Sequence, residues 1–132
     1  MSRYSETLMD HFTSPRNNCR IGVPDRIGVV GRPGETLFMI LYLRLQDGLV
    51  VEAMYQTNGC GASIAAGSVL TEMVKQRRVE ECLQVTADMV TEALGGVPAD
   101  RGHCPLLAIT ALRAALALFV KQTISEPGGQ PS

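Results

Sequence analysis

Residues 37–57 read Leu37-Phe38-Met39-Ile40-Leu41-Tyr42-Leu43-Arg44-Leu45-Gln46-Asp47-Gly48-Leu49-Val50-Val51-Glu52-Ala53-Met54-Tyr55-Gln56-Thr57, and this run decides the fold class. From Leu37 to Leu45 nearly every side chain is apolar and suited to an extended backbone. Because both faces are apolar at first, the segment reads as a central strand. Asp47-Gly48 then gives the two-residue signal of a tight hairpin. Leu49 to Thr57 alternates well enough to be the paired strand. Upstream, Arg26 opens a shorter strand carrying Ile27, Val29 and Val30, which stops at Gly31-Arg32-Pro33-Gly34. Three strands joined in sequence order predict an antiparallel meander.

On either side of the strands the apolar period is helical. After Asn58-Gly59-Cys60-Gly61, residues Ile64, Val69, Leu70, Met73 and Val74 share one side of a helix expected over Ala62–Lys75. A short helix is expected over Val79–Leu83, and another over Ala87–Leu94 with Thr86 as N-cap and Gly95-Gly96 as its stop. The last helix is expected from Cys104-Pro105 to about Thr123, with Pro105 at its first position. Its Leu, Ile and Ala content predicts the most buried helix of the chain. At the other end, Leu8, Met9 and Phe12 mark a helix from Tyr4 to Phe12, capped by Ser5 and stopped by Pro15. One helix, then strands, then helices predicts an α+β domain, a small three-stranded antiparallel sheet with helices packed on one face. That domain spans 1–124, and the Pro- and Gly-rich residues 125–132 read as a disordered tail.

Composition narrows the function classes. Twelve Lys and Arg against thirteen Asp and Glu leave a net charge of −1, which provides no basic face for nucleic acid or an anionic membrane. With 45% apolar residues the 132-residue chain can bury a core, and with 5% aromatics and no Trp that core must be aliphatic. The most apolar run, Leu106–Val120, is shorter than the roughly 20 residues of a membrane span and contains Arg113. The opening Met1–Glu6 lacks the features of a signal peptide, so a soluble, cytoplasmic protein is expected. Four cysteines (Cys19, Cys60, Cys82, Cys104) with no close pair do not form a disulfide framework.

Two of them sit in unusual company. Cys60 is flanked by Gly59 and Gly61 where a strand gives way to a helix, and glycines there leave room for a sharp turn and for access to the sulfur. Cys104 lies between His103 and Pro105 at another helix opening. The partial positive charge of a helix N-terminus favours a thiolate. If the two openings converge at one end of the sheet, Cys60, Cys104 and His103 form a soft-metal or cluster site. By spacing alone, two packed small residues and a capping histidine explain the pattern as well. Cys82 in Val79-Glu80-Glu81-Cys82-Leu83 reads as core, Asp10 and His11 as structural, and the methionines as core filler.

Tyr4-Ser5-Glu6, Asp10-His11-Phe12 and Pro15-Arg16-Asn17 resemble the opening of the NifU/IscU-type iron–sulfur cluster scaffold family. The resemblance continues through Thr57-Asn58-Gly59-Cys60-Gly61-Ala62-Ser63-Ile64-Ala65, Thr71-Glu72-Met73-Val74-Lys75 and His103-Cys104-Pro105-Leu106-Leu107-Ala108, in order along residues 4 to 122. It implies a scaffold, not an enzyme, that assembles a 2Fe–2S cluster from iron and from sulfur supplied by a cysteine desulfurase, for apo-protein acceptors. Cys60 matches the family's second cysteine, His103 its histidine and Cys104 its third cysteine. The first cysteine, normally in a Gly-x-Pro-x-Cys-Gly-Asp loop, is missing from Gly31-Arg32-Pro33-Gly34-Glu35-Thr36-Leu37. Alignment on Gly31 and Pro33 puts Glu35 at the cysteine position. Other registers make Glu35 the acid, or place Gly34 and Thr36 there, and none restores a thiol.

A carboxylate is a harder ligand than a thiolate, so Cys60, Cys104, His103 and Glu35 would suit iron less well and would also suit Zn²⁺. Cys19 in Asn17-Asn18-Cys19-Arg20 replaces the lost thiol only if the N-terminal segment folds across the site. A Leu-Pro-Pro-Val-Lys element, read in some members by a specialised chaperone, is here Val97-Pro98-Ala99-Asp100-Arg101, so that chaperone is not expected as a partner. Arg101 keeps a cation there, either as a surface charge or as a partner for sulfur or carboxylate. Against the cluster scaffold stand two alternatives, a degenerate scaffold acting as a zinc-binding or regulatory module and a persulfide-accepting carrier. The apolar strand from Leu37 to Leu43 is explained equally by a helix layer and by a homodimer.

Overall fold

The computed structural model describes residues 4–31 and 37–117. Helix α1 (Glu6–Thr13) precedes strands β1 (Arg26–Val30), β2 (Met39–Gln46) and β3 (Leu49–Thr57). Helices α2 (Gly61–Val74), α3 (Val79–Cys82), α4 (Ala87–Ala93) and α5 (His103–Ala115) follow, with a 3₁₀ turn at Ala99–Arg101 before α5. The sheet has the order β1-β2-β3 and is antiparallel throughout. Asp47 and Gly48 both take positive φ, 54° and 78°, the backbone that a two-residue hairpin needs to follow strand twist. Leu45 pairs with Val50 and Arg44 with Glu52, so Val51 is the extra residue of a bulge.

Register places Gly28, Leu41 and Tyr55 in one row across the sheet, and Met39, Leu41, Leu43, Ala53 and Tyr55 are fully buried on that face. Helix α5 covers β1 and β2, and α2 covers β3. The burial of β2 therefore comes from the protein's own helices and requires no second copy of the chain. On the opposite face Ile27 and Val29 are each 49% exposed, and Tyr42 donates to Gln56 Oε1 at 2.6 Å.

Two glycines let the helices come this close. A Cβ on Gly28 would stand 1.9 Å from the Ala111 carbonyl oxygen, so α5 rests on bare β1 backbone. A Cβ on Gly67 would stand 2.3 Å from the Tyr55 ring, whose hydroxyl donates to the Ile64 carbonyl at 2.7 Å.

Helix α2, not α5, is the most buried helix among the described residues. Ten of its fourteen residues are buried, against eight of thirteen in α5. Composition hides this because the buried positions of α2 include Ser63, Ser68 and Thr71, each satisfied by hydrogen bonds. α5 opens at His103, which makes Pro105 its third residue, still within the first turn where no N–H is required. The expected end of α5 near Thr123 and the tail 125–132 lie outside the described residues.

Helix α1 is held by polar contacts. Ser5 caps it, accepting from Leu8 N–H at 3.0 Å, and its hydroxyl donates to the Leu94 carbonyl. The buried Ser68 hydroxyl accepts from Arg16 N–H at 2.9 Å and shares a hydrogen bond with His11 Nδ1 at 2.7 Å. The remaining ring nitrogen, Nε2, faces Glu72 at 3.8 Å. Burial and the nearby Arg16 charge hold the His11 pKa below its ordinary value, although Glu72 and Asp10 oppose them.

Two measurements check this packing. Gly28→Ala must lift α5 off β1 and should cost ~2–3 kcal/mol in urea unfolding. An unchanged midpoint would contradict the close approach. Because the folded His11 pKa lies below its ordinary value of 6.5, protons bind the unfolded chain preferentially in the window between the two. Stability is therefore complete above 6.5 and falls as pH drops through that window. His11→Gln should flatten the slope, and an equal slope in both proteins would show that another group carries it.

Candidate metal centre

Cys60 is the N-cap of α2, extended at φ −74° and ψ −178°, and its carbonyl accepts from Ser63 N–H at 2.9 Å and Ile64 N–H at 3.1 Å. Cys104 is the second residue of α5. Since α2 and α5 pack against each other, the two helix openings meet at one end of the molecule. Cys60 Sγ lies 3.8 Å from Cys104 Sγ, and His103 Nε2 lies 3.6 Å from Cys104 Sγ. The juxtaposition anticipated from two distant helix openings is therefore present.

The flanking glycines serve packing rather than a turn. Neither Gly59 nor Gly61 has positive φ. A Cβ on Gly59 would stand 2.5 Å from Ser63 Oγ and 2.7 Å from Leu37 Cδ1, and one on Gly61 would stand 3.1 Å from the Phe12 ring. They admit Ser63, Leu37 and Phe12 to the base of the site.

The two sulfurs differ sharply. Cys60 is exposed and Cys104 fully buried. Partial burial pulls the Cys60 thiol up, but the N–H groups of Ser63 and Ala62, then Cys104 and the Ser63 hydroxyl, overcome it and hold the thiol below its ordinary value. Burial pushes the Cys104 thiol up, and the Cys60 charge adds to the rise, against the Ser63 hydroxyl donating to Cys104 Sγ at 3.3 Å. The pair carries its first negative charge on Cys60. Ser63 was not singled out from the sequence, although its place three residues after an N-cap sulfur is a helix-geometry signal.

A tetrahedral ion bound at about 2.3 Å to sulfur and about 2.0 Å to nitrogen separates two sulfurs by about 3.8 Å, and a sulfur from a nitrogen by about 3.5 Å. The two distances found match two edges of such a tetrahedron. Among the described residues no three His, Cys, Asp or Glu side chains converge on a single point, so the exposed His103 must swing inward to close the set. Glu35 lies outside the described residues.

Other sulfur positions separate from the centre. Asn17 donates to Thr71 Oγ1 at 3.0 Å and accepts from Lys75 Nζ at 2.9 Å, and its carbonyl accepts from Cys19 N–H at 3.0 Å. Thr71 stands eleven residues beyond Cys60 along α2, about 16 Å at 1.5 Å per residue. That tether holds Cys19 towards the far end of the helix, away from the paired sulfurs. Cys82 is buried core, with its thiol towards the Val74 carbonyl at 3.7 Å and its pKa pushed up to about 11 by burial and then by Glu81. Arg101 is more than a solvated charge, since its guanidinium donates to Tyr4 and lies within electrostatic reach of Cys60.

The family model described as NifU-like N terminal domain matches residues 3–126. The chain belongs to that family. This NifU-like domain is 41% identical over 119 residues to the iron–sulfur cluster assembly scaffold protein IscU 1 of Archaeoglobus fulgidus, covering 90% of this chain and 78% of that one. It is 36% identical over 118 residues to the protein of the same description, IscU, from Haemophilus influenzae, covering 86% and 93% of the two chains. The fold is also that of the N-terminal NifU-like protein of Brucella abortus (TM-score 0.72, 15% identity, 89% and 94% covered). A scaffold protein described for the SUF system of Fervidobacterium islandicum is similar in fold too (TM-score 0.70, 18% identity, 86% and 96% covered).

Native-state alkylation followed by peptide mass analysis checks the asymmetry of the thiols. Iodoacetamide should label Cys60 and Cys19 rapidly, and Cys82 and Cys104 only after unfolding. Labelling of Cys104 as fast as Cys60 in the folded protein would contradict the burial described.

Proposed function

We propose that this NifU-like domain is an iron–sulfur cluster assembly scaffold, on which iron and sulfur are held as cargo and not as a resident cofactor. The observation that carries the reading is the 3.8 Å separation of Cys60 and Cys104 sulfurs at two helix N-termini, with His103 Nε2 3.6 Å from one of them. Soft thiolates and an imidazole are the donor types that iron in clusters takes, and an exposed Cys60 keeps the cargo accessible. Cys60, His103 and Cys104 are the proposed ligands. Glu35 is the proposed fourth, supported by Leu37, two residues away along the chain, which lies against Gly59.

A carboxylate in place of a thiolate makes a weaker iron ligand, which suits a cluster that is to be handed on. A cysteine desulfurase supplies the sulfur, apo-proteins receive the product, and the domain itself catalyses no turnover. Cytoplasmic residence belongs to the same proposal. Among the described residues no helix is long and apolar enough to cross a membrane.

Anaerobic incubation with ferrous iron and sulfide tests the reading. Visible charge-transfer absorption should develop in the wild type and in Cys19→Ser, and should be lost in Cys60→Ser and Cys104→Ser. A colourless protein that instead retains stoichiometric zinc would overturn it in favour of a zinc-binding module, whose tetrahedral ligand geometry has the same edges.

A further inference from the structure

Cys60 stands between two glycines, and each glycine accommodates an apolar side chain from elsewhere in the chain. Leu37 Cδ1 lies 2.7 Å from the point where a Cβ on Gly59 would stand. Three Phe12 ring atoms lie 3.1 Å from the corresponding point on Gly61. Hydrocarbon therefore flanks, on both sides, the backbone that carries the exposed Cys60 sulfur. Polar contacts hold each wall in place. Phe38, next to Leu37, donates its N–H to Asn58 Oδ1 at 2.9 Å and accepts from Thr57 Oγ1 at 2.6 Å. Phe12 follows His11, whose Nδ1 is 2.7 Å from the Ser68 hydroxyl on α2. Leu37 also packs against the core, but among the described residues Phe12 is outside that cluster and stays 36% exposed. An aromatic ring left this open gains only part of the free energy of burial. Its seat on the first residue of α2, directly after Cys60, therefore calls for a role beyond packing.

We infer that Phe12 and Leu37 form an apolar collar beside Cys60 that controls access to its sulfur and slows the loss of iron held there to water-borne competitors. This rests on the scaffold reading, and it adds what regulates release from the site. A hydrated, charged competitor must shed water to pass apolar walls, which is costly where no new hydrogen bonds replace that water. The hydrophobic shell of a metal site sets solvent access by the same physics. An acceptor protein that lays apolar surface on the half-exposed Phe12 ring expels the water there and escapes that cost. Cys104 needs no such wall, because it is already fully buried. Phe12 thus selects what reaches Cys60, and it makes no bond to the cargo itself. Thr57 and Asn58 act through the Phe38 backbone, as positioning residues for the Leu37 side of the collar.

Two arms test this on the full chain. In the first, alkylation of Cys60 by a bulky sulfonated maleimide is compared with that by iodoacetamide, and peptide mass analysis separates the cysteines. The ratio of the two rates cancels the reactivity of the thiolate itself. Phe12→Ala should raise that ratio about 3- to 10-fold, Phe12→Leu should raise it less, and Phe12→Tyr should leave it near the wild type. Cys82 and Cys104 should stay slow in every variant, which a loosened fold would not allow. In the second arm the protein is loaded anaerobically with ferrous iron and sulfide, and bleaching by EDTA is followed. Phe12→Ala should bleach about 3- to 10-fold faster than the wild type, and Phe12→Tyr at the wild-type rate. An unchanged reagent ratio in Phe12→Ala, an equal rise at Cys82, or unchanged bleaching overturns the inference. Should the Ala variant fail to fold, Phe12→Leu carries the same comparison. The first arm uses no iron, so a wild type that takes up no colour sinks the scaffold reading while the alkylation ratio still decides the collar.

Discussion

Two helices rest on bare backbone and a single aromatic ring, and the site depends on that closeness. Helix α5 can lie against β1 only because Gly28 has no side chain, and α2 can lie against Tyr55 only because Gly67 has none. With both helices drawn onto one face of a three-stranded sheet, their N-termini emerge at the same end. Cys60 and Cys104, 44 positions apart in the chain, thereby come within 3.8 Å. The α1 clamp through His11, Ser68 and Arg16 fixes the outer surface of α2 in the same way, so that helix is held from both sides.

The pairing creates chemical inequality from two identical side chains. One sulfur belongs to the N-cap residue of α2, near the backbone N–H groups of Ala62 and Ser63 and with solvent beside it. The other is sealed between helices, with a serine hydroxyl as its polar partner. Water and N–H donors stabilise a thiolate, and hydrocarbon does not, so the negative charge settles on Cys60. A site built this way separates accessibility from permanence. The exposed sulfur can meet a partner while the buried one holds its place.

Much of this was legible along the chain. Asp47-Gly48 and the alternation of 49–57 located the hairpin, because a two-residue turn and period-two burial are local constraints. Ser5 and Thr86 were readable as caps, since a side-chain oxygen and the N–H three residues on are close in sequence. The 3₁₀ turn at Ala99–Arg101 was not, because three residues are too few to carry a periodic signal. The burial of α2 was missed because its interior includes Ser63, Ser68 and Thr71, polar residues whose acceptability depends on partners from distant segments. The glycines beside Cys60 were conspicuous, but their purpose, admitting Ser63, Leu37 and Phe12, required knowing what packs there.

The sequence by itself determined the order and kind of the elements, the aliphatic core, and which residues had the chemistry to bind a soft metal. All of these are set by neighbours a few positions apart. Only the tertiary structure decided that Cys60, Cys104 and His103 share one end of the molecule, and that Cys19 is tethered towards the other end of α2. Those facts follow from which helix faces meet and how closely, and contact geometry between distant segments leaves no periodic mark in the chain.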